Sequence, residues 1–309
     1  MKKWLLSVLA VVFFLGFTAA CSSNSGNNGS EQNSSAGAAE NSGTKAKEIT
    51  LAYVAWDSEI ASTHVVKEVL ESKLGYEVEM LQVDAGPMWA GVADGSADAM
   101  VAAWLPTLHA DYYSSNEGKF EDLGPNLDGT KSGLVVPAYV EVDSIEDLKD
   151  KSVAEQFDYK IIGIEPGAGV MQSTEKVIEQ YGLDGWELVE SSSAAMAAEL
   201  TKAYKNNSPI IVTGWTPHWK FSKFDLKYLD DPQKVYGGAE QIHTIVRQGL
   251  KEDMPDAYQF LDNFNWSPDD MADVMIEIAE GASPEEAAKT WVESHEQQVN
   301  EWLEGTTSQ

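Results

Sequence analysis

Short apolar runs alternate with longer amphipathic stretches along most of this chain, the pattern of alternating strands and helices. Ile49 to Ala55 is an apolar run ending at Trp56-Asp57-Ser58, where Asp57 or Ser58 can cap a helix carrying Val65, Val66, Val69 and Leu70. Gly75 closes that helix, Val78 to Val83 reads as the next strand, and Pro87 opens a short helix ending near Gly95. Ala99 to Trp104 is a third strand, followed by Leu105-Pro106.

The same plan returns further on. Lys160 to Glu165 reads as a strand, and Gly167-Ala168-Gly169 leads into a helix that ends at Gly182. Trp186 to Glu190 is a strand, and Ser192 or Ser193 caps a helix from Ala194 to Tyr204. Pro209 to Trp215 is again a strand, followed by Thr216-Pro217. Each half thus closes a strand with Trp-x-Pro, in register with the elements before it, which predicts two similar α/β lobes.

Between the halves lies a strand-like run, Leu134 to Val140, with a helix start at Ser144; a second crossing is expected at His243 to Arg247. Three helical segments follow: Pro255 to Phe264, Met271 to Ala279, and Pro284 to Glu304. The expected division is lobe 1 over 48–140, lobe 2 over 141–247, and helices returning to lobe 1 over 248–305. Two crossings would make a hinge with a cleft between the lobes.

Ligands of open α/β sheets bind beyond the carboxyl ends of the strands. Trp56, Trp104 and Trp215 all stand at such ends. On spacing alone packing explains them equally well; their place relative to the sheets favours a site. Trp186, Trp266, Trp291 and Trp302 read as packing, and so do Trp89 and Trp219. Indole faces suit a quaternary ammonium, which has diffuse charge and no N–H to donate. The Gly167-Ala168-Gly169-Val170 turn, opening a helix, offers backbone amides to an anion, although a plain strand-to-helix connection would look the same. A cage for a cation beside amides for a carboxylate describes a small zwitterion.

The N-terminus bears on location. Lys2 and Lys3 precede an apolar stretch from Trp4 to Phe17, and Thr18-Ala19-Ala20 leads into Cys21, so residues 1–20 read as a signal peptide. Cys21 is the only cysteine and stands where bacterial lipoproteins are acylated, although Thr18 replaces the branched aliphatic residue usual three places before it. Residues 21–47 are then a lipidated Cys21 with a Ser/Asn/Gly-rich tether. The net charge of −29 becomes more negative once Lys2 and Lys3 are removed, which argues against nucleic acid or anionic lipid as partner. The five histidines show no metal-ligand spacing, and no Gly-x-Ser-x-Gly elbow or Walker loop is present, so neither an enzyme, a metal site nor a cofactor is expected.

The segments AYVAWDSEIAS, AGPMW, AAWLPTLH, IGIEPGAGVM, SSSAAM and TGWTPHW closely resemble the glycine-betaine-binding proteins of osmoprotectant ABC importers, and the similarity runs from Ile49 to Trp302. The resemblance implies a type II periplasmic-binding-protein fold, two α/β lobes joined by a hinge with a ligand cleft between them. It implies a cage of Trp56, Trp104 and Trp215 for the quaternary ammonium. It assigns the carboxylate to the amides of Gly169 and Val170, with His109 assisting. The implied partners are glycine betaine, a separate permease and ATPase, and the outer face of the cytoplasmic membrane through the lipid; the chain itself is expected as a monomer. Rival readings keep the class and change the ligand to choline, carnitine, proline betaine or a stacked sugar, or make the chain a lipoprotein with an interaction role only.

Overall fold

The computed structural model describes residues 47–307. The expected signal peptide, Cys21 and the tether up to residue 46 lie outside the described residues.

Lobe 1 opens with β1 (Lys47–Tyr53), α1 (Asp57–Ser72), β2 (Tyr76–Gln82), α2 (Ala85–Asp94), β3 (Ala99–Leu105) and α3 (Ala110–Asn116), and the long strand β4 (Phe120–Pro137) follows. Lobe 2 holds α4 (Lys151–Ala154), β5 (Lys160–Ile162), α5 (Gly169–Tyr181), β6 (Glu187–Val189), α6 (Ser193–Lys205), β7 (Val212–Thr216), α7 (Trp219–Lys223) and β8 (Leu226–Tyr228). The chain then runs through β9 (Glu240–Arg247), α8 (Leu250–Asp253), α9 (Pro255–Asn263), α10 (Pro268–Glu280), α11 (Pro284–Ser294) and α12 (Glu296–Trp302).

The strand order is β2-β1-β3-β9-β4-β7-β5-β6, with β8 paired to β4. The repeat read from the sequence is visible here. In each lobe the earliest strand of the repeat is central, with β1 parallel to β2 and β3, and β5 parallel to β6 and β7. Parallel neighbours require crossover connections, which the intervening helices provide. Both Trp-x-Pro segments carry a cis peptide, at Leu105-Pro106 and at Thr216-Pro217. Strand β3 (AMVAAWL) is buried along its whole length, as expected of a strand covered on both faces.

Strand β4 joins both groups of strands: Phe120 to Thr130 pair with β9, whereas Lys131 to Pro137 pair with β7 and β8. Strand β9, counted with lobe 2 on the pattern alone, lies between β3 and β4. An apolar run such as His243–Arg247 shows that it is a strand but not which strand it joins.

Helices α9 and α11 start at Pro255 and Pro284 as expected, and α10 starts at Pro268, three residues before the expected Met271. Ser267 and Ser283 each form a capping box, with Asp270 and Glu286 respectively, and a proline follows at the first helical position. Helices α10 and α11 pack against α1, which buries Ala61, Val65, Val66, Val69 and Leu70 beneath them and the sheet. Each of these valine and leucine side chains contributes about 1.5–3 kcal/mol when removed from water. The single helix expected over Pro284 to Glu304 breaks at His295, whose φ of −119° and ψ of 39° end α11 and begin α12.

Candidate ligand-binding site

The three strand-end tryptophans converge. Trp56 follows β1 as the N-cap of α1, Trp104 is the penultimate residue of β3, and Trp215 is the penultimate residue of β7. All three line one small cavity, together with His109, Gly169 and Val170. Every ligand-contacting residue expected from the sequence therefore faces the same space. The apolar remainder of the lining is Leu108, Ile164 and Ala168.

Each indole N–H has an acceptor, so the rings that border the cavity are fixed by their edges. Trp104 Nε1 donates to Glu59 Oε1 at 2.7 Å, Trp215 Nε1 donates to Ser58 Oγ at 3.1 Å, and Trp56 Nε1 donates to Glu165. Ser58 Oγ in turn donates to the second oxygen of Glu59. One carboxylate thus anchors Trp104 directly and Trp215 through a hydroxyl. Glu59 is wholly buried, and burial pushes its carboxyl up to about 7 against the opposing pull of its hydrogen bonds. Glu165 is also raised by burial, with the Trp56 hydrogen bond working the other way.

His109 is buried, and its Nδ1 accepts from the Trp104 backbone N–H at 3.2 Å and from Trp89 Nε1 at 3.3 Å. A nitrogen with two donors aimed at it carries the lone pair, which leaves the hydrogen on Nε2. Burial lowers its pKa to about 3, so the ring is a neutral donor near pH 7. Trp89, read as packing, is buried and doubles as the support of this histidine.

Helix α5 begins at Gly169 with Ala168 as an N-cap that makes no side-chain cap, and its first amides have no intrahelical acceptor. A Cβ at Gly169 would lie 2.4 Å from the Leu108 carbonyl oxygen, so only glycine lets this helix come so close to lobe 1. Nearby, Tyr112 donates its hydroxyl hydrogen to the Gly167 carbonyl at 2.7 Å.

Asp57 does not cap α1; Trp56 occupies that position. Its carboxylate instead accepts from Ser193 Oγ at 2.7 Å and Trp219 Nε1 at 2.7 Å, and it lies 3.5 Å from His218 Nε2. Burial alone would raise its pKa, but the donors from His218, Ser193 and Trp219 outweigh it and hold Asp57 well below the usual carboxylate range. Residues 56 to 58 thus each bond to a different part of lobe 2. The pattern of the sequence did not single out Asp57 or Glu59 for these tasks. The available signal was an acidic residue, Glu59, three and seven places before Ser62 and Val66 on a buried helix face.

A hinged pair of α/β lobes closing on a small aromatic chamber defines a solute-binding protein. The chain belongs to the family of substrate-binding domains of ABC-type glycine betaine transport systems, whose model matches residues 47–294. It is 56% identical over 157 residues to the glycine betaine/carnitine transport binding protein GbuC of Listeria monocytogenes, a match covering 50% of this chain and 52% of that protein. Lactococcal OpuAC, solved closed with glycine betaine, is 46% identical with a TM-score of 0.79, over 84% of this chain and 100% of that one. An ABC-transporter choline-binding protein, solved with choline, is 30% identical with a TM-score of 0.78, over 85% and 93% respectively.

Proposed function

We propose that this protein captures glycine betaine between its lobes and delivers it to an ABC importer for protection against osmotic stress. The observation that carries the reading is the cavity itself. Three indole faces meet opposite the N-terminus of α5. The tryptophans of Trp56, Trp104 and Trp215 enclose the trimethylammonium. The amides of Gly169 and Val170 and the Nε2–H of His109 hold the carboxylate. Cation–π attraction gives roughly 0.5–2 kcal/mol per ring, so three rings supply on the order of 2–6 kcal/mol. A micromolar complex needs about 8 kcal/mol, and the carboxylate contacts make up the difference.

Ligand binds first to lobe 1, which carries Trp56 and Trp104, and closure brings Trp215 and the α5 amides over it. Because ligand stabilises the closed form, the population shifts towards the surface that the permease recognises. Cys21 is acylated after removal of residues 1–20, and residues 21–47 tether a monomeric domain to the outer face of the cytoplasmic membrane. Lobe 1 extends to Thr130 and resumes at Glu240, with the segment between them forming lobe 2.

Calorimetric titration with glycine betaine, proline betaine, carnitine and choline tests the ligand assignment. Saturable glycine betaine binding at micromolar concentration or below supports it. A folded protein that binds choline and none of the carboxylate-bearing ligands contradicts it.

A further inference from the structure

Lys220, the second residue of α7, is wholly buried, and its ammonium has no hydrogen-bond acceptor. A charge removed from water without such a partner is costly. The nitrogen lies 4.2 Å from the centre of the Trp215 ring, with Phe221 further off at 5.9 Å. Lys220 does not line the cavity, whereas Trp215 does. One face of this indole is thus occupied by a resident cation and the other is left to the ligand.

The charged groups around the ammonium are few. Asp57 of α1 attracts it, and His218 from its own turn lies in the same cluster. Val135 of β4 and the Lys220 stem both border Gly214, and α10 packs on α7 with Glu280 beside Trp219 and Lys223. Burial lowers the Lys220 pKa to about 7, with the Asp57 charge opposing. His218 is itself held neutral by burial, its pKa brought down to about 4.

We propose that Lys220 is a specificity-determining residue that makes the cage select zwitterions over bare quaternary cations. The inference rests on the cage reading of Trp56, Trp104 and Trp215. A ligand cation on the open face of Trp215 would stand roughly 9 Å from the Lys220 nitrogen, where an effective dielectric of about 20 leaves a sizeable repulsion. Choline feels the part of that repulsion that Asp57 does not offset, and feels it while Lys220 is protonated. Glycine betaine carries a carboxylate a few ångströms further away, and its attraction to the same ammonium cancels most of the penalty.

Titration of the full chain in detergent with glycine betaine and with choline tests the inference in wild type, Lys220→Met and Lys220→Arg. At about pH 6, where Lys220 is protonated, removing the charge in Lys220→Met is expected to tighten choline by about tenfold and to change glycine betaine by roughly twofold. Lys220→Arg, which stays charged, is expected to keep the discrimination against choline. If Lys220→Met does not fold, Lys220→Gln, which keeps a polar end, takes its place.

A second readout separates Lys220 from Glu59, another buried titratable group near the cage. In wild type the choline-to-betaine affinity ratio should rise as the pH passes from about 6 to about 9, and in Lys220→Met that rise should shrink to the part that Glu59→Gln removes. Both ligands shifting together in Lys220→Met, or choline failing to tighten, overturns this inference alone. A wild-type protein that binds no glycine betaine overturns the ligand assignment and this inference with it.

Discussion

Trp215 and Ser58 meet across the cleft: the indole N–H of one donates to the hydroxyl of the other at 3.1 Å, although 157 positions separate them. Through Ser58 the lobe 2 tryptophan reaches Glu59, which also holds Trp104 of lobe 1. The two cage walls are therefore aligned by one buried carboxylate, and the alignment exists only when the lobes are together.

Ser58→Ala cuts this relay while leaving Glu59 and Trp104 joined. A net hydrogen bond contributes about 1 kcal/mol, so ligand affinity should fall by roughly threefold to tenfold, and the melting temperature should fall too because buried Glu59 loses a donor. Titration alongside a melting curve checks both parts. An unchanged dissociation constant would show that Trp215 is positioned by packing alone.

Glu59 gives the site a pH dependence. Its carboxyl is raised from 4.5 to about 7, so between those values the folded protein holds a proton that the unfolded chain has released. Stability contributed by this group therefore falls as the pH rises from 4.5 to about 7, and Glu59→Gln should remove that slope. A cation in the cage favours the ionised form, so affinity should strengthen through the same range and binding should release protons. Calorimetry in buffers of different ionisation enthalpy detects the protons; equal heats in all buffers would contradict the role given to Glu59.

Asp57 titrates with the opposite sign. Its carboxyl is held below the ordinary 3.8, so the stability it gives is complete above that value and is lost as the pH falls below it. Asp57→Asn should flatten the acid limb of a stability–pH curve. It should also weaken ligand binding, because Ser193 and Trp219 reach Asp57 from lobe 2.

Gly169→Ala separates closure from folding. Alanine suits the first turn of a helix, but its Cβ would meet the Leu108 carbonyl at 2.4 Å in the closed arrangement. The variant should fold with an unchanged melting temperature, lose affinity by about a hundredfold, and show no ligand-induced compaction in solution scattering.

The parts of this protein that are legible in its sequence are those set by local chemistry. Ser192, one of the two expected candidates, caps α6, and Gly95 and Gly182 end helices in the left-handed conformation that glycine favours. The strand-end tryptophans are legible for a different reason, since the repeated Trp-x-Pro marks equivalent places in two equivalent lobes. Strand β4 is not legible over Phe120 to Thr130, where the register shifts between Asp122 and Gly124, between Pro125 and Leu127, and between Asp128 and Thr130. Those irregularities accommodate glycine and proline that would otherwise exclude a strand. Asp57 or Ser58 as the cap of α1 is the default use of a polar residue at a helix start; the partners of Asp57 here, Ser193 and Trp219, come from a lobe that no local pattern connects to it.

The most direct test of the ligand cage is a tryptophan fluorescence titration of the full chain with glycine betaine, wild type beside Trp215→Ala. The account predicts a saturable change in wild type, and in the variant a loss of affinity of at least tenfold with the fold retained. Equal saturation curves for the two proteins would contradict it, because the ligand would then be bound somewhere other than between these three rings.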